Sequence, residues 1–111
     1  MGMEYKGAQS HLASGSWTTV VTAATGKSNV IKLAQATNVT SSAATLNLAV
    51  SASGGHFYVA KEVSINTQAS YVAVDDPIVL EAGHKLEAEC LNINNGLDLV
   101  VSYLQVSSSI A

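Results

Sequence analysis

The sequence predicts an all-β protein, and within that class an antiparallel, jelly-roll-like β-sandwich of about eight short strands. Short runs rich in β-branched residues are separated by turn residues at intervals of about 8–12 positions, and several runs alternate apolar with polar side chains. No window keeps the roughly 3.6-residue spacing of an amphipathic helix. With 111 residues, the chain can bury one two-layer core but is too short for two ordinary domains.

The strands are predicted from residue 17 onward. They cover residues 17–23, 29–37, 43–51, 56–60, 61–65, 71–74, 78–80, 85–93 and 97–106, where 61–65 either continues the preceding strand or forms its own. In residues 43–51, Leu46, Leu48 and Val50 share one face, as expected of a half-buried strand. The last strand is apolar on both faces, which is typical of a central position in a sheet.

Turn residues punctuate these strands. Residues 51–55 (SASGG) predict a hairpin loop in which glycine supplies positive φ. The triplet of Gly26, Lys27 and Ser28 also predicts a turn, because a phosphate-binding loop needs a further glycine where this chain has Val21. The Asn-Asn-Gly triplet at residues 94–96 predicts a tight hairpin.

Residues 1–16 lack periodicity and are predicted to form an extended arm or a loosely docked tail, so that the single sandwich domain spans residues 17–111. Such an arm is suited to docking on a neighbouring subunit. The residues predicted to contact partners are Tyr5, Lys6, His11 and Leu12 in the arm, and Tyr58 and Tyr71 in the domain.

The composition narrows the partners. Only 12% of residues are charged, the net charge is −3, and the basic residues are five scattered lysines, which disfavours nucleic-acid binding. No apolar run approaches the roughly 20 residues of a membrane-spanning helix. Small neutral polar groups cost little free energy to transfer out of water, which is consistent with a surface that contacts other proteins. The alternative is that the chain is rich in Ser and Thr simply because many all-β domains are.

No catalytic, metal or cofactor motif is predicted. Cys90 alternates with Leu86 and Ala88 and is therefore expected in the core, and a single cysteine allows no intramolecular disulfide. An enzyme would require His56 or His84 to meet Cys90 or carboxylates in a pocket. A carbohydrate-binding module would require exposed aromatic residues on one face, for which Tyr58 and Tyr71 are the candidates.

The pattern of strands and turns resembles small β-sandwich proteins of tailed bacteriophage particles, which include capsid decoration (cement) proteins and jelly-roll modules of tails and fibres. The similarity covers residues 17–106 and is carried by residues 17–23, 29–38, 43–50 and 97–106, and above all by residues 78–90 (IVLEAGHKLEAEC). His84 departs from the family pattern, in which an acidic residue is common after the turn glycine.

This resemblance implies a protein of the virion that assembles in the host bacterial cytoplasm, often as a trimer or another ring, and that binds the major capsid protein or other virion proteins. The leading hypothesis is therefore a non-enzymatic capsid decoration protein that needs no cofactor. A tail, neck or fibre component and a carbohydrate-binding module are the alternatives.

Overall fold

A computed structural model describes residues 2–107, and in this part of the chain the backbone forms nine strands and no helix. None of the described segments is therefore a helix that could cross a membrane. The strands are β1 (Met3–Leu12), β2 (Thr18–Thr22), β3 (Lys27–Asn38), β4 (Ala44–Ala52), β5 (Gly55–Ile65), β6 (Ser70–Val74), β7 (Ile78–Leu80), β8 (Lys85–Cys90) and β9 (Leu97–Ser107).

The strands form two antiparallel sheets, which confirms the predicted sandwich. The first sheet has the order β1-β9-β3-β6, and β7 pairs with β3 beside β6. The second sheet has the order β2-β8-β4-β5. Since β6 and β7 share one strand position, each sheet has four positions, and this order is that of a jelly roll.

Most connections cross from one sheet to the other. Among the described strands, β4 and β5 are consecutive in sequence and paired with each other, through the hairpin at Ser53 and Gly54, whose φ angles are 50° and 78°. The predicted SASGG hairpin is therefore confirmed. The predicted hairpin at residues 94–96 is wrong, because β8 and β9 lie in different sheets and this loop is a crossing.

Alternation places the apolar set between the sheets. From β9 the inner face receives Leu97, Leu99 and Val101, and from β4 it receives Leu46 and Leu48, all fully buried. Cys90 is also buried in the core, as predicted. Each sheet is thus apolar on its inner side, which is the contact that stabilises the two-layer fold.

For residues 1–16 the two predicted alternatives are an extended arm and a loosely docked tail, and residues 3–12 are extended but not loosely docked. Met3–Leu12 is extended and pairs with β9 along its whole length, and Leu12 is fully buried in the core. This segment is therefore an edge strand of the first sheet. The predicted ends of the arm and the domain, at residues 1 and 111, lie outside the described residues.

Candidate interaction surfaces

The outer face of the first sheet, directed away from the core, is built from rows of side chains that run across several strands. In one row, Tyr5 on β1 lies opposite Leu104 on β9, Leu104 lies opposite Val30 on β3, and Val30 lies opposite Val79 on β7. This is an apolar row across four strands. In a second row, Val100 and Val72 alternate with Gln9 and Gln35.

Several of these apolar side chains are open to solvent within the described part of the chain. Tyr5 is 78% exposed, Val79 is 55% exposed and Val100 is 51% exposed. Their cross-strand neighbours Val30 and Leu104 are half-buried. Contiguous exposed apolar side chains on a sheet face are typical of surfaces that bind another molecule.

Charge on this face is confined to a few positions. His11 Nδ1 lies 2.6 Å from Asp98 Oδ1, so these two side chains form a hydrogen bond with each other at one end of the face. Beside them is an open depression of about 290 Å³ lined by Gln9, His11, Asp98 and Val100, with the backbone of β1 and β9 beneath. Lys32 lies in the bulge that interrupts the pairing of β3 with β9.

The apolar residues on both faces of the last strand already indicate this surface in the sequence. The last strand was predicted to be central because it is apolar on both faces, and β9 is indeed flanked by β1 and β3. In a two-layer sandwich the core covers only one of these faces. Among the outward-facing residues of β9, Val100 is therefore exposed, and Leu104 and Val106 are only half-buried.

The outer face of the second sheet has the opposite character. Its centre is Glu87 on β8, whose Oε2 accepts a hydrogen bond from Thr19 Oγ1 at 2.8 Å and whose Oε1 accepts one from His56 Nε2 at 2.7 Å. Both carboxylate oxygens thus have partners on other strands of the sheet, Thr19 on the adjacent β2 and His56 on β5, which lies on the far side of β4. The residue Glu89 on the same strand accepts a hydrogen bond from Asn47 Nδ2 at 3.2 Å.

These contacts alter the acidity of Glu87. Burial raises the pKa of its carboxyl, but the hydrogen bonds from His56 and Thr19, with the positive charges of His56 and Lys85, outweigh burial. The net effect lowers the pKa of Glu87 below its ordinary value of 4.5. The carboxylate is therefore held in its charged form as part of a polar network.

An aromatic cluster lies beside this carboxylate. The rings of Trp17 and His56 stack with centroids 4.4 Å apart and planes 13° apart, and Tyr58 meets Trp17 edge-on at 6.0 Å. Lys61 Nζ lies 5.1 Å from the centroid of the Tyr58 ring, which is a cation–π contact. Sequence inspection missed this cluster, because its members come from β5 and from the loop before β2 and meet only through the sheet.

The structure separates the residues that were predicted to contact partners. Tyr5 and His11 lie on the outer face of the first sheet and Tyr58 on that of the second. Lys6 lies on the other side of β1, 3.9 Å from Glu4, and Tyr71 lies on the edge strand β6. Leu12 is fully buried, so its prediction as a partner contact is corrected: it is a core residue. Tyr58 and Tyr71 belong to different sheets and do not form one aromatic platform.

The remaining candidate chemistry is dispersed. Cys90 faces the core from β8, whereas Glu87 on the same strand faces outward to His56. His84 lies in the turn before β8, where its Nδ1 accepts a hydrogen bond from the backbone N–H of Glu81 at 3.3 Å. Among residues 2–107, no three His, Cys, Asp or Glu side chains are grouped closely enough to hold a metal ion.

Comparison of the sequence with models of protein families yields no match, and comparison with curated proteins yields none either.

Proposed function

We propose that this protein is a structural subunit of a bacteriophage particle, and most specifically a capsid decoration protein that binds the shell through the outer face of its first sheet. The observation that carries this proposal is the apolar row formed by Tyr5, Leu104, Val30 and Val79, which crosses four strands and includes the central strand β9. The resemblance of residues 17–106 to small virion sandwich proteins supplies the biological setting.

The physical reason is the low desolvation penalty of this face. Its side chains are valines, leucines and tyrosine with neutral Ser, Thr and Gln between them, so that few ions would leave water on docking. Burial of apolar area contributes roughly 25 cal/mol for each Å² removed from water. The second sheet covers the inner face of these strands. Only another molecule could cover their outer face in the same way.

Mass spectrometry of purified particles tests the proposal. In particles of the virus that encodes this chain, a decoration protein is expected at a copy number close to that of the major capsid protein. A tail, neck or fibre component is expected in far fewer copies. Complete absence of the protein from purified particles would contradict both versions.

Two matched substitutions locate the docking face. Val79 and Val39 are almost equally exposed, at 55% and 54%, but Val79 belongs to the apolar row whereas Val39 lies beyond the end of β3. Val79→Lys is expected to abolish incorporation into particles while Val39→Lys leaves it unchanged. Equal incorporation of both variants would contradict docking through this face.

A carbohydrate-binding role is a second candidate, favoured by one observation. Trp17, His56 and Tyr58 cluster next to the carboxylate of Glu87 on the second sheet, which combines aromatic surface with a hydrogen-bond acceptor. Binding on a glycan array that disappears with Tyr58→Ala and persists with Tyr71→Ala would support it. No binding across a broad array would count against it.

A further inference from the structure

Each sheet of the sandwich has two edges, and three of these four edges carry features that hinder pairing with another strand. β2 has five residues and a register shift between Thr19 and Val21. β5 has register shifts opposite β4, and Glu62 in its middle adopts a φ of 51°. The edge formed by β6 and β7 is broken at Asp75, Asp76 and Pro77. Such bulges, short strands and prolines protect sheet edges from association.

The edge at β1 lacks this protection. Its ten residues, Met3–Leu12, pair with β9 in a register that has no shift from one end to the other. It contains no proline, and its two oppositely charged residues, Glu4 and Lys6, lie 3.9 Å apart. A long, regular, weakly charged edge is the geometry that accepts another strand.

The register with β9 shows which backbone groups of β1 point outward. The N–H of Ser107 donates to the carbonyl of Gly2 at 2.8 Å, so Gly2 and every second residue after it face β9. The residues whose N–H and C=O groups point away from the sheet are therefore Met3, Tyr5, Gly7, Gln9 and His11.

We propose that two copies of this chain associate by antiparallel pairing of their β1 strands, with Gly7 opposite Gly7 on a two-fold axis. A two-fold axis pairs the β1 edge of one copy with the β1 edge of the other. Neither copy then has a free β1 edge, so the association stops at a dimer. The two first sheets become one continuous sheet with both outer faces on the same side, and the row that begins at Tyr5 of one copy continues into the row that begins at Gln9 of the other. This inference deepens the proposed function, on which it rests for its biological role.

Charge and hydrogen bonding select this register. Antiparallel pairing requires outward-pointing residues to face outward-pointing residues, and centring on Gly7 uses all five of them. Centring on Lys6 would place two lysines directly opposite each other, which is unfavourable. Centring on Ala8 would use only four of the outward-pointing residues and would set Glu4 against the buried Leu12.

A single-cysteine substitution tests both the contact and its register. Gly7→Cys is accommodated, since a Cβ at this position meets the carbonyl of Val101 at an ordinary 3.7 Å. On the two-fold axis the paired Cα atoms would lie about 5.5 Å apart, within the range of a disulfide. Under mild oxidation of the full chain, we expect Gly7→Cys to become largely a disulfide-linked dimer.

Tyr5→Cys is the matched control, because it lies on the same strand and the same face. In the proposed register, two copies of residue 5 are offset by four positions, or about 13 Å, so this variant is expected to stay unlinked. Cys90 is buried and should not interfere. Linkage of Tyr5→Cys instead of Gly7→Cys would overturn the register.

Gln9→Pro tests the edge by another route. It removes an outward-pointing N–H and leaves the pairing with β9 intact, a position in which edge strands tolerate proline. By light scattering at several concentrations, we expect the wild-type chain to dimerise and Gln9→Pro to dimerise at least about tenfold more weakly. A monomeric wild-type chain, or a trimer in which Gly7→Cys does not link, would overturn the inference.

The two proposals fail separately. A monomeric chain that is nevertheless abundant in purified particles would refute the β1 dimer alone. A dimer that links through Gly7→Cys, from a virus whose particles lack the protein, would refute the proposed function alone.

Discussion

Asn38 ends β3 where the chain leaves the first sheet for the second. It is fully buried, and its Nδ2 donates to the carbonyls of Ser42 and Ile65 at 2.8 and 2.9 Å, while its Oδ1 accepts from the N–H and the hydroxyl of Thr40, both at 2.8 Å. Its hydrogen-bonding capacity is therefore filled. Asn29, also fully buried, differs: its Nδ2 donates to the carbonyl of Thr22 at 3.4 Å, and its Oδ1 has no partner among the described residues.

Asn38→Ala is expected to lower the free energy of unfolding by about 2–4 kcal/mol, because it leaves buried backbone groups without partners. Urea denaturation measures this change. Asn29→Ala is the control and should have a smaller effect, since that side chain makes one long hydrogen bond. A larger loss from Asn29→Ala would contradict this assignment.

Glu87 gives the fold a dependence on pH. Because its pKa in the folded state is lowered, ionised Glu87 stabilises the fold fully above its ordinary value of 4.5. This contribution is lost as the pH falls through the lowered pKa. The difference in unfolding free energy between the wild type and Glu87→Gln, measured by urea denaturation, should therefore shrink below about pH 4.5.

Glu81→Gln is the control for this pH series, because Glu81 lies exposed in the turn before β8. It should change the unfolding free energy by at most about 0.5 kcal/mol across the same range. A pH profile of Glu87→Gln that runs parallel to the wild type would show that the network around Glu87 does not stabilise the fold.

At the scale of the strands, β1 is the strand that the sequence pattern does not predict. Its inward-facing positions include Ala8 and Ser10, which are too small or polar to produce an apolar alternation, and only Leu12 reaches the centre of the core. Several later strands alternate apolar with polar side chains, and the later strands agree with the predicted ones to within a few residues at their ends. The apolar–polar alternation from which a strand is predicted is therefore weak in a strand that contributes few side chains to the core.

The sequence pattern of a single strand also does not predict which of the two sheets the strand joins. Alternation identifies the inner face of a strand but not the sheet to which the strand belongs, because both sheets face the same core. The Asn94–Gly96 turn illustrates this: Asn95 has the positive φ of a tight turn, at 59°, yet the chain crosses to the other sheet there. The apolar row and the Glu87 network likewise depend on cross-strand register, which the sequence does not display.

The integration of β1 has a testable consequence for stability. Leu12→Ala is expected to lower the free energy of unfolding by about 2–5 kcal/mol, as for other fully buried leucines. Deletion of residues 1–16 should destabilise the domain for the same reason and would also uncover the edge of β9.

Tyr5→Ala is the control for Leu12→Ala. Its side chain is mostly exposed, so we expect the free energy of unfolding to fall by at most about 0.5 kcal/mol. Equal losses would mean that β1 is not anchored through Leu12.

At the scale of the whole molecule, the two outer faces differ in kind. The first sheet presents mostly apolar and neutral side chains, whereas the second presents Lys61, Lys85 and the partly buried Glu87 around an aromatic cluster. A subunit with this asymmetry can dock with one face and leave the other in water. The second sheet is then the surface that a decorated shell would show to solvent.

This asymmetry predicts that docking depends little on salt. Screening weakens contacts between exposed charges, but the proposed docking face carries few of them. Binding of the purified chain to undecorated particles should change by less than about threefold between about 0.05 and 0.5 M NaCl, measured by co-sedimentation. A steep fall in binding with salt would indicate a charged interface instead.

The most direct measurement is an image reconstruction of the purified virus particle at a resolution that separates β-strands. We expect density for this sandwich on the shell, with the row from Tyr5 to Val79 buried against the neighbouring protein and Lys85 on the second sheet facing solvent. A particle that carries the sandwich in the reverse orientation, with the first sheet's outer face open to water, would contradict it.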